Sequence, residues 1–526
     1  MKVVIRADAS IKIGAGHVMR CLTLADALKK HTNVEVIFVC REQPGQLREV
    51  ISKRGYEVIS LPEKKKNYDP EISAPAHAKW LGVSWKQDIE DTLVAIGKEK
   101  VDWLIVDHYA IDYRWHQSAK TICNKLMVID DLADRKYDCD ILLDQTYGRN
   151  PETYHSLVKE GCQLLVGAKY TLLVDDFFRL RYQALEKRKK INKINRILVS
   201  LGSMDPDNLT SIILRGLNQA IWEYYPDVDV VLGSHAPHLQ SVINESKQHK
   251  LNINVHVDVS NMAELMLYSD LAIGTGGTTS WERCCLGLPT IILQLADNQK
   301  EVIRGLIQTG AVRYISGKNI AEEIVTECAE LQSNIAELHN LSDQSFKVVN
   351  GIGAHMAAIR LLPEKTYYGK DVAIRYVNQS DGDLIYKWQT DPKTRLYSDN
   401  PALPEYEEHI LWLENKLNDH TCFIFMMEHA NEPAGVVRLD YNDESNDSCF
   451  YVVSIYIAPE FYRKGIGSIA LNYISRIFDS VDLHAKIHDK NIASQQLFLS
   501  AGYIQQQKGC FYIRKPLKVN IVDSSL

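Results

Sequence analysis

At 526 residues the chain is too long for one ordinary domain, and about 150 residues per domain predicts three or four. Apolar residues at 45% and charged residues at 24% describe a globular protein and exclude a disordered tail or a coiled coil. A formal net charge of −7 gives no broad positive field for nucleic acid or an anionic membrane, which leaves only local basic pockets for phosphate.

The start MKVVIRADAS lacks the long apolar region of a signal peptide, and no run of about 18 apolar residues occurs, so a cytoplasmic protein is expected. Its eleven cysteines are then expected as free thiols. Most sit in apolar runs, such as Cys40 in VIFVC, Cys284 and Cys285 are adjacent, and zinc-type spacing is absent.

In chain order, VVIRAD (3–8) precedes a segment with Val18, Leu22, Ala25 and Leu28 on one helical face. VEVIFVC (34–40), VDWLIVDHY (101–109), KLMVIDD (125–131) and DILLD (140–144) follow as strands. Short continuous apolar runs with helices between them predict a parallel sheet covered on both faces. The charged stretch Gln183 to Lys193 then reads as a solvated helix end and inter-domain linker. The pattern restarts with RILVSLG (196–202), VDVVLGS (228–234), NINVHVD (252–258), LAIGTGG (271–277) and PTIILQL (289–295). Two doubly wound α/β halves, 1–185 and 186–345, place ligand groups at the carboxyl ends of their strands. After a return helix and linker over 346–370, residues 371–526 form a separate α+β domain with strands around a polar turn, a glycine turn and an amphipathic segment Ile469 to Phe478.

Candidate chemistry begins at Gly14-Ala15-Gly16-His17. Glycines between a strand and a helix admit an anion to the backbone, and the positive field of a helix start disfavours protonated imidazole. His17 is thus either a neutral general base or a helix cap. Asp107 and His108 end one strand, and Asp130 and Asp131 another, so polar groups converge on one cleft. In the second half, Gly274, Gly276 and Gly277 end a strand and Thr278, Thr279 and Ser280 start a helix, a pattern suited to a diphosphate. Glu282 either accepts two ribose hydroxyls or steadies the helix start. Asp297, Asn298 and Gln299 follow the next strand, and Gly202 and Ser203 lie in the loop VSLGSMDPDN. The carboxylate pairs Asp138/Asp140, Asp205/Asp207 and Asp227/Asp229 are placed poorly for a divalent ion, and Asp205-Pro206-Asp207-Asn208 reads as a turn and helix cap, so a metal-free site is expected.

RADAS, GAGHVMRC, WLGVSWKQD (80–88), VDHY, DDLADR, GSMDPDN, GTGGTTSWERCCLGLP and LADNQ together resemble the UDP-sugar hydrolases of pseudaminic acid biosynthesis over residues 1–345. That resemblance implies a GT-B-like pair of Rossmann-like domains and attack of water at the anomeric carbon of UDP-2,4-diacetamido-2,4,6-trideoxy-β-L-altropyranose. It makes His17 the catalytic base, and Gly14, Gly16, Asp107, His108, Gly202, Ser203, Gly276, Gly277, Thr278, Thr279, Ser280, Glu282, Asn298 and Gln299 the expected substrate contacts.

In SIYIAPEFYRKGIGSIALNYI, the amides of Arg463, Lys464, Gly465, Ile466, Gly467 and Ser468 can surround a pyrophosphate. With LHAKIHD and NIASQQLFLSAGYIQQQ downstream, residues 371–515 resemble the GNAT N-acetyltransferases. The resemblance implies acetyl-CoA on that turn, its pantetheine arm along a splayed strand Val453 to Ile457, with Asn491 and Phe498 beside it. Phe498 stands where the family often has a tyrosine that protonates the departing thiolate, and Glu432, His409, Glu460 and Tyr456 are open choices for the base. The fusion implies that the second domain acetylates UDP-4-amino-4,6-dideoxy-N-acetyl-β-L-altrosamine, the precursor of the hydrolase substrate. A different class also fits: a nucleotide-sugar-binding or glycosyltransferase module joined to a protein N-acetyltransferase.

Overall fold

The computed structural model describes residues 1–63, 68–295, 299–398, 400, 402–442, 450–506 and 511–516. The chain divides into two compact units, Met1–Lys29 with Asn33–Ala354, and Lys30–Thr32 with His355–Leu526.

The first unit contains two parallel sheets. The predicted strands appear as β1 (Lys2–Ala7), β2 (Glu35–Arg41), β4 (Val101–Asp107), β5 (Cys123–Ile129) and β6 (Ile141–Asp144). Two unpredicted strands, β3 (Glu57–Leu61) and β7 (Gln163–Val166), complete the edges in the order β3-β2-β1-β4-β5-β6-β7. The second sheet holds β8 (Arg196–Ser200), β9 (Asp227–Leu232), β10 (Ile253–Val257), β11 (Leu271–Thr275), β12 (Thr290–Leu293) and an unpredicted edge strand β13 (Val312–Ile315), ordered β10-β9-β8-β11-β12-β13. The strand order reverses between β1 and β4 and again between β8 and β11. Loops leaving those strands diverge there and open a crevice, the place where open α/β sheets take ligands.

The central strands are buried on both faces, as their unbroken apolar runs require. One charged side chain interrupts this: Arg6 of β1 is fully buried. It donates to Asp8 at 2.5 and 2.9 Å and to Asp88 at 2.7 Å, and Arg41 also reaches Asp88 at 2.7 Å. Asp88 accepts the Trp115 indole N–H at 3.0 Å as well. This buried network ties the first turn of the helix Trp85–Ile96 to the carboxyl end of β1.

The stretch Gln183 to Lys193, read as a solvated helix end and linker, does contain the end of a helix, Asp175–Lys189, but that helix is packed through Ala184, Leu185 and Arg188. Arg181 is buried and donates to the carbonyls of Cys285, Phe346 and Val349 at 2.7–2.8 Å. Arg188, also buried, donates to those of Met266 and Ser269 at 2.8 and 2.5 Å. A guanidinium has five donors in a planar fork, so carbonyls left open at helix ends can satisfy it away from water. Counting charges along the sequence could not reveal that, because the acceptors are backbone atoms 78 to 168 residues distant.

The second unit has one mixed sheet of β14 (Glu364–Lys365), β15 (Asp371–Tyr376), β16 (Cys422–His429), β17 (Glu432–Asn442), β18 (Phe450–Ile457), β19 (Asp482–Lys486), β20 (Ile504–Gln505) and β21 (Phe511–Arg514). The polar turn is a two-residue hairpin between β16 and β17 with Ala430 and Asn431 both at positive φ, 53° and 68°. β18 pairs with β19 only from Phe450 to Val452, although β18 continues to Ile457. The two parallel strands therefore separate, leaving one edge of Val453 to Ile457 without a strand partner among the described residues. The amphipathic segment is a helix over Ile466–Ile477, starting three residues before its expected position.

Candidate functional site

His17 opens the helix Gly16–His31 directly after the β1 loop. That loop is closed by a bridge between Ser10 and Gly14, whose φ of +82° is a conformation glycine adopts without strain. Asp107, at the end of β4, is fully buried behind the imidazole. Burial alone would raise its carboxyl, but the charge of Arg20 and the hydrogen bonds donated by Arg20 and His17 hold it well below the usual carboxylate range. An ionised acceptor 2.6 Å from His17 Nδ1 selects the tautomer in which Nδ1 donates to Asp107 Oδ1, which in the neutral ring leaves Nε2 as the acceptor. Among the described residues Nε2 makes no hydrogen bond.

Arg20, one helical turn on, clamps the same carboxylate through Nε at 2.6 Å and Nη2 at 2.7 Å and reaches Asp131 through Nη1 at 2.9 Å. The Tyr109 hydroxyl donates to the other oxygen of Asp131, and burial together with that carboxylate pushes its phenol far up. The Tyr109 ring meets His17 edge-on with centroids 4.5 Å apart, and Trp80 stands 6.5 Å from the imidazole.

A cavity of about 170 Å³ lies here, lined from the first half by Gly16, His17, Arg20, Trp80, Tyr109 and Asp131, and from the second by Gly276, Gly277, Thr278 and Gln299. Gly276 has no room for a Cβ, which would lie 2.5 Å from Ile303. Gly274 is equally restricted, because the guanidinium of buried Arg283 would be 2.4 Å from it. Arg283 donates to the Thr275 carbonyl at 2.7 Å and to Ser280 Oγ at 3.0 Å, and burial pushes it down to about 10. Among the described residues the amides of Gly277 and Thr278 donate no main-chain hydrogen bond.

The structure thus brings Gly16, His17, Gly276, Gly277, Thr278 and Gln299 to one cavity. Other expected contacts have different surroundings. Gly14 shapes the loop, and both oxygens of Asp107 are engaged by His17 and Arg20, so this carboxylate orients the imidazole. His108 is buried, with Nδ1 accepting from the Ala110 amide at 3.1 Å and Nε2 3.3 Å from Asp8. The Ser280 hydroxyl donates to the Thr275 carbonyl at 2.9 Å, and Thr279 Oγ1 accepts from Arg283 at 3.3 Å. Gly202 and Ser203 are exposed beyond β8. Glu282 is half-buried, and desolvation, opposed by Arg283, pushes its carboxyl up to about 7. Asn298 and Asp297 lie outside the described residues. The carboxylate pairs weighed for a metal have protein partners: Asp138 meets Lys120, Asp205 caps the helix Leu209–Gln219, and Asp229 meets Arg196 and His256.

Sequence reasoning passed over Arg20, Trp80 and Tyr109. Spacing could have flagged Arg20, three residues after His17 on the same helical face. Trp80 closes a single turn, Ala78–Trp80, in a long connection where no periodicity operates.

In the second unit, Arg463 (φ 60°) and Gly465 (φ 81°) turn the chain into the helix Ile466–Ile477, whose first amides have no intrahelical acceptor. Arg463 is exposed, and Lys464 Nζ lies 4.4 Å from the Phe461 ring centre. A Cβ on Gly467 would lie 3.2 Å from Leu497 and 3.7 Å from Ile457, the last residue of β18. Asn491 uses its side chain to cap the helix Ile492–Ser500, accepting from the Ser494 amide at 3.1 Å. Phe498 is buried against Tyr503, with centroids 4.9 Å apart. His409 is buried and faces the Gly382 carbonyl at 3.3 Å, Glu432 opens β17 at the hairpin, and Tyr456 on β18 packs edge-on to Trp388.

Two parallel sheets with this strand order, followed by a mixed sheet whose central parallel strands part, define an α/β protein of GT-B-like architecture carrying a GNAT-type domain. The chain matches the Acetyltransferase (GNAT) family over residues 383–503 and the Lipid-A-disaccharide synthetase family over 172–356. It is 27% identical over 274 residues to the UDP-2,4-diacetamido-2,4,6-trideoxy-beta-L-altropyranose hydrolase of Campylobacter jejuni, covering 52% of this chain and 84% of that one. It is 24% identical over 522 residues to an uncharacterized protein of Methanocaldococcus jannaschii, covering 97% and 98% of the two chains. The crystal structure of Acinetobacter baumannii MurG aligns with a TM-score of 0.51 at 13% identity over 68% of this chain and 99% of that one, a likeness of fold. The resemblance read from the motifs therefore holds: a UDP-sugar hydrolase-like region over about half of the chain, joined to a GNAT acetyltransferase domain. Among the described residues no helix is long and apolar enough to cross a membrane.

Proposed function

We propose that the chain is a bifunctional enzyme acting in two successive steps on a UDP-linked amino sugar. The GNAT domain transfers acetyl from acetyl-CoA to the 4-amine of UDP-4-amino-4,6-dideoxy-N-acetyl-β-L-altrosamine. The amine must be neutral so that its lone pair can attack the thioester. The parted β18 edge and the turn Arg463 to Ser468 support a cofactor lying along the strand with its pyrophosphate on backbone amides. The first unit then hydrolyses UDP-2,4-diacetamido-2,4,6-trideoxy-β-L-altropyranose. His17 Nε2 takes a proton from water as its oxygen bonds to the anomeric carbon, and the bond to the diphosphate oxygen breaks with its electron pair leaving on UDP. Asp107 stabilises the imidazolium that forms, and Gly276, Gly277 and Thr278 hold the diphosphate.

One observation carries this reading: Asp107 holds His17 Nδ1, which leaves Nε2 without a partner among the described residues, in a side chain that lines the same cavity as the glycine turn. Incubating the protein with the amino sugar nucleotide and acetyl-CoA, and weighing the products, tests it. Free thiol, UDP and a diacetamido sugar are expected. The synthetase-family match over 172–356 and the MurG-like fold favour a second reading, a glycosyltransferase module beside a protein N-acetyltransferase. Acetylated peptide without sugar turnover would favour that one.

A further inference from the structure

Cys139 and Cys162 bring two free thiols together at the amino ends of β6 and β7, the ends opposite those that carry the cavity, with their sulfurs 3.7 Å apart. The strands themselves hold this placement. Ile141 of β6 stands beside Gln163 of β7, and the Gln163 amide donates to the Asp140 carbonyl at 2.9 Å. Parallel neighbours lie about 4.8 Å apart, within the span that a disulfide bridges, so joining the sulfurs asks for side-chain rotation and no change of pairing.

The two thiols have unequal surroundings. Cys139 is fully buried in the core of the first sheet, whereas Cys162 is partly exposed at its margin. The Cys162 thiol has the Gln163 carbonyl as an acceptor at 3.8 Å, so Cys139 is the donor in the contact between the sulfurs. That hydrogen bond, with the charge of Lys159, lowers the Cys162 thiol below its ordinary range against the cost of burial, while the same bond and burial push Cys139 well up. Thiolate character and access therefore fall on one sulfur, and a protected thiol stands beside it.

We propose that Cys139 and Cys162 form a reversible dithiol–disulfide pair in which Cys162 meets the oxidant and Cys139 resolves it. With a soluble disulfide as oxidant, the Cys162 thiolate attacks one sulfur, the soluble S–S bond breaks and one thiolate leaves. Cys139 sulfur then attacks Cys162 sulfur, the mixed disulfide breaks, and the second thiolate departs with the proton from Cys139. Two cysteine thiols are oxidised and the soluble disulfide is reduced to two thiols. The new bond joins positions 23 residues apart and closes a loop that carries Gln145 and Thr146 of the cavity wall.

The test incubates the reduced full chain with oxidised glutathione, blocks the remaining thiols with N-ethylmaleimide in denaturant, and maps unreduced peptides by mass spectrometry. Peptides containing Cys139 and Cys162 are expected as one linked species, with both thiols lost to blocking and both restored by dithiothreitol. In Cys139→Ser, Cys162 should hold one glutathione without a cross-link; in Cys162→Ser, Cys139 should remain a free thiol. The map of the natural chain decides the proposal whether or not the variants fold. Glutathione retained on Cys162 while Cys139 is still alkylated, or both thiols left unoxidised while partly exposed Cys422 reacts, overturns the pair. Glutathione on Cys139 in Cys162→Ser overturns the assigned order of attack.

Discussion

The two parallel sheets of the first unit share a topology and use opposite means at their switch points. Around β1 and β4 the chain buries charge: Arg6, Asp8, Arg20, Arg41, Asp88 and Asp107 are almost fully enclosed and hold one another. Around β11 it removes side chains, so that Gly274 and Gly276 fit where no Cβ could. A buried, mutually paired set of ions costs desolvation but fixes side-chain direction, which a general base requires. A glycine turn fixes nothing through side chains and instead admits a ligand to the backbone. In the proposed reaction the first half orients the reacting group and the second grips the anion.

The largest test of this contrast is His17→Asn. It should lower hydrolysis by about a thousandfold, within the range for loss of a general base, and leave the UDP dissociation constant within a factor of about two. UDP release and calorimetry measure the two separately. Unimpaired turnover would remove His17 from the chemistry. Asp107→Asn comes next. The amide no longer enforces the Nδ1–H tautomer and leaves Arg20 with one carboxylate fewer, so kcat should fall about a hundredfold or more with KM little changed. The same change should lower the melting temperature, because a buried cation loses its counter-charge. A variant that lost stability and kept kcat would make Asp107 purely structural.

The opposite half is tested by Gly274→Ala. Its Cβ displaces Arg283, which holds the Thr275 carbonyl and Ser280, so UDP affinity should fall about tenfold while the environment of His17 is unaffected. A chemical-shift titration of the His17 ring protons in the variant checks the second half of that statement.

These halves also differed in how legible they were. The β11 turn could be read directly, since glycines at a strand end are a local signal and their neighbours Thr278 and Gln299 follow in sequence. The strands of both sheet centres were legible for the same reason, unbroken apolar runs, while the edges β3, β7 and β13 were not, being short and partly exposed. The charged half was legible only as a set of strand ends. That Asp107 faces His17 and not the substrate depends on a contact across 90 residues, and that His108 turns away from the cavity depends on Asp8 and the Ala110 amide. Trp80 carried no signal, because it sits in a single turn, Ala78–Trp80, within a long connection that shows no periodicity. In the second unit the glycine turn and parted strand were readable, but Asn491 proved to be engaged as a helix cap.

The smallest expected effect concerns Glu282, a carboxyl beside the buried Arg283 in the half that carries the glycine turn. Burial raises its folded-state value to about 7. The uncomplexed protein therefore favours the neutral form, and this group's contribution to stability falls as pH rises from the ordinary carboxylate range through 7. A ligand whose ribose hydroxyls donate to Glu282 needs the ionised form, so its binding should move the other way and weaken severalfold between pH 8 and pH 6. A UDP-sugar is the right probe, because its diphosphate is esterified at both ends and carries constant charge over that range. Glu282→Gln should flatten the pH dependence of binding, weaken binding at pH 8 and raise the melting temperature of the unliganded protein at the same pH. A residue that only steadied its helix would lose stability on the same substitution, so the sign of the melting shift decides which role Glu282 has.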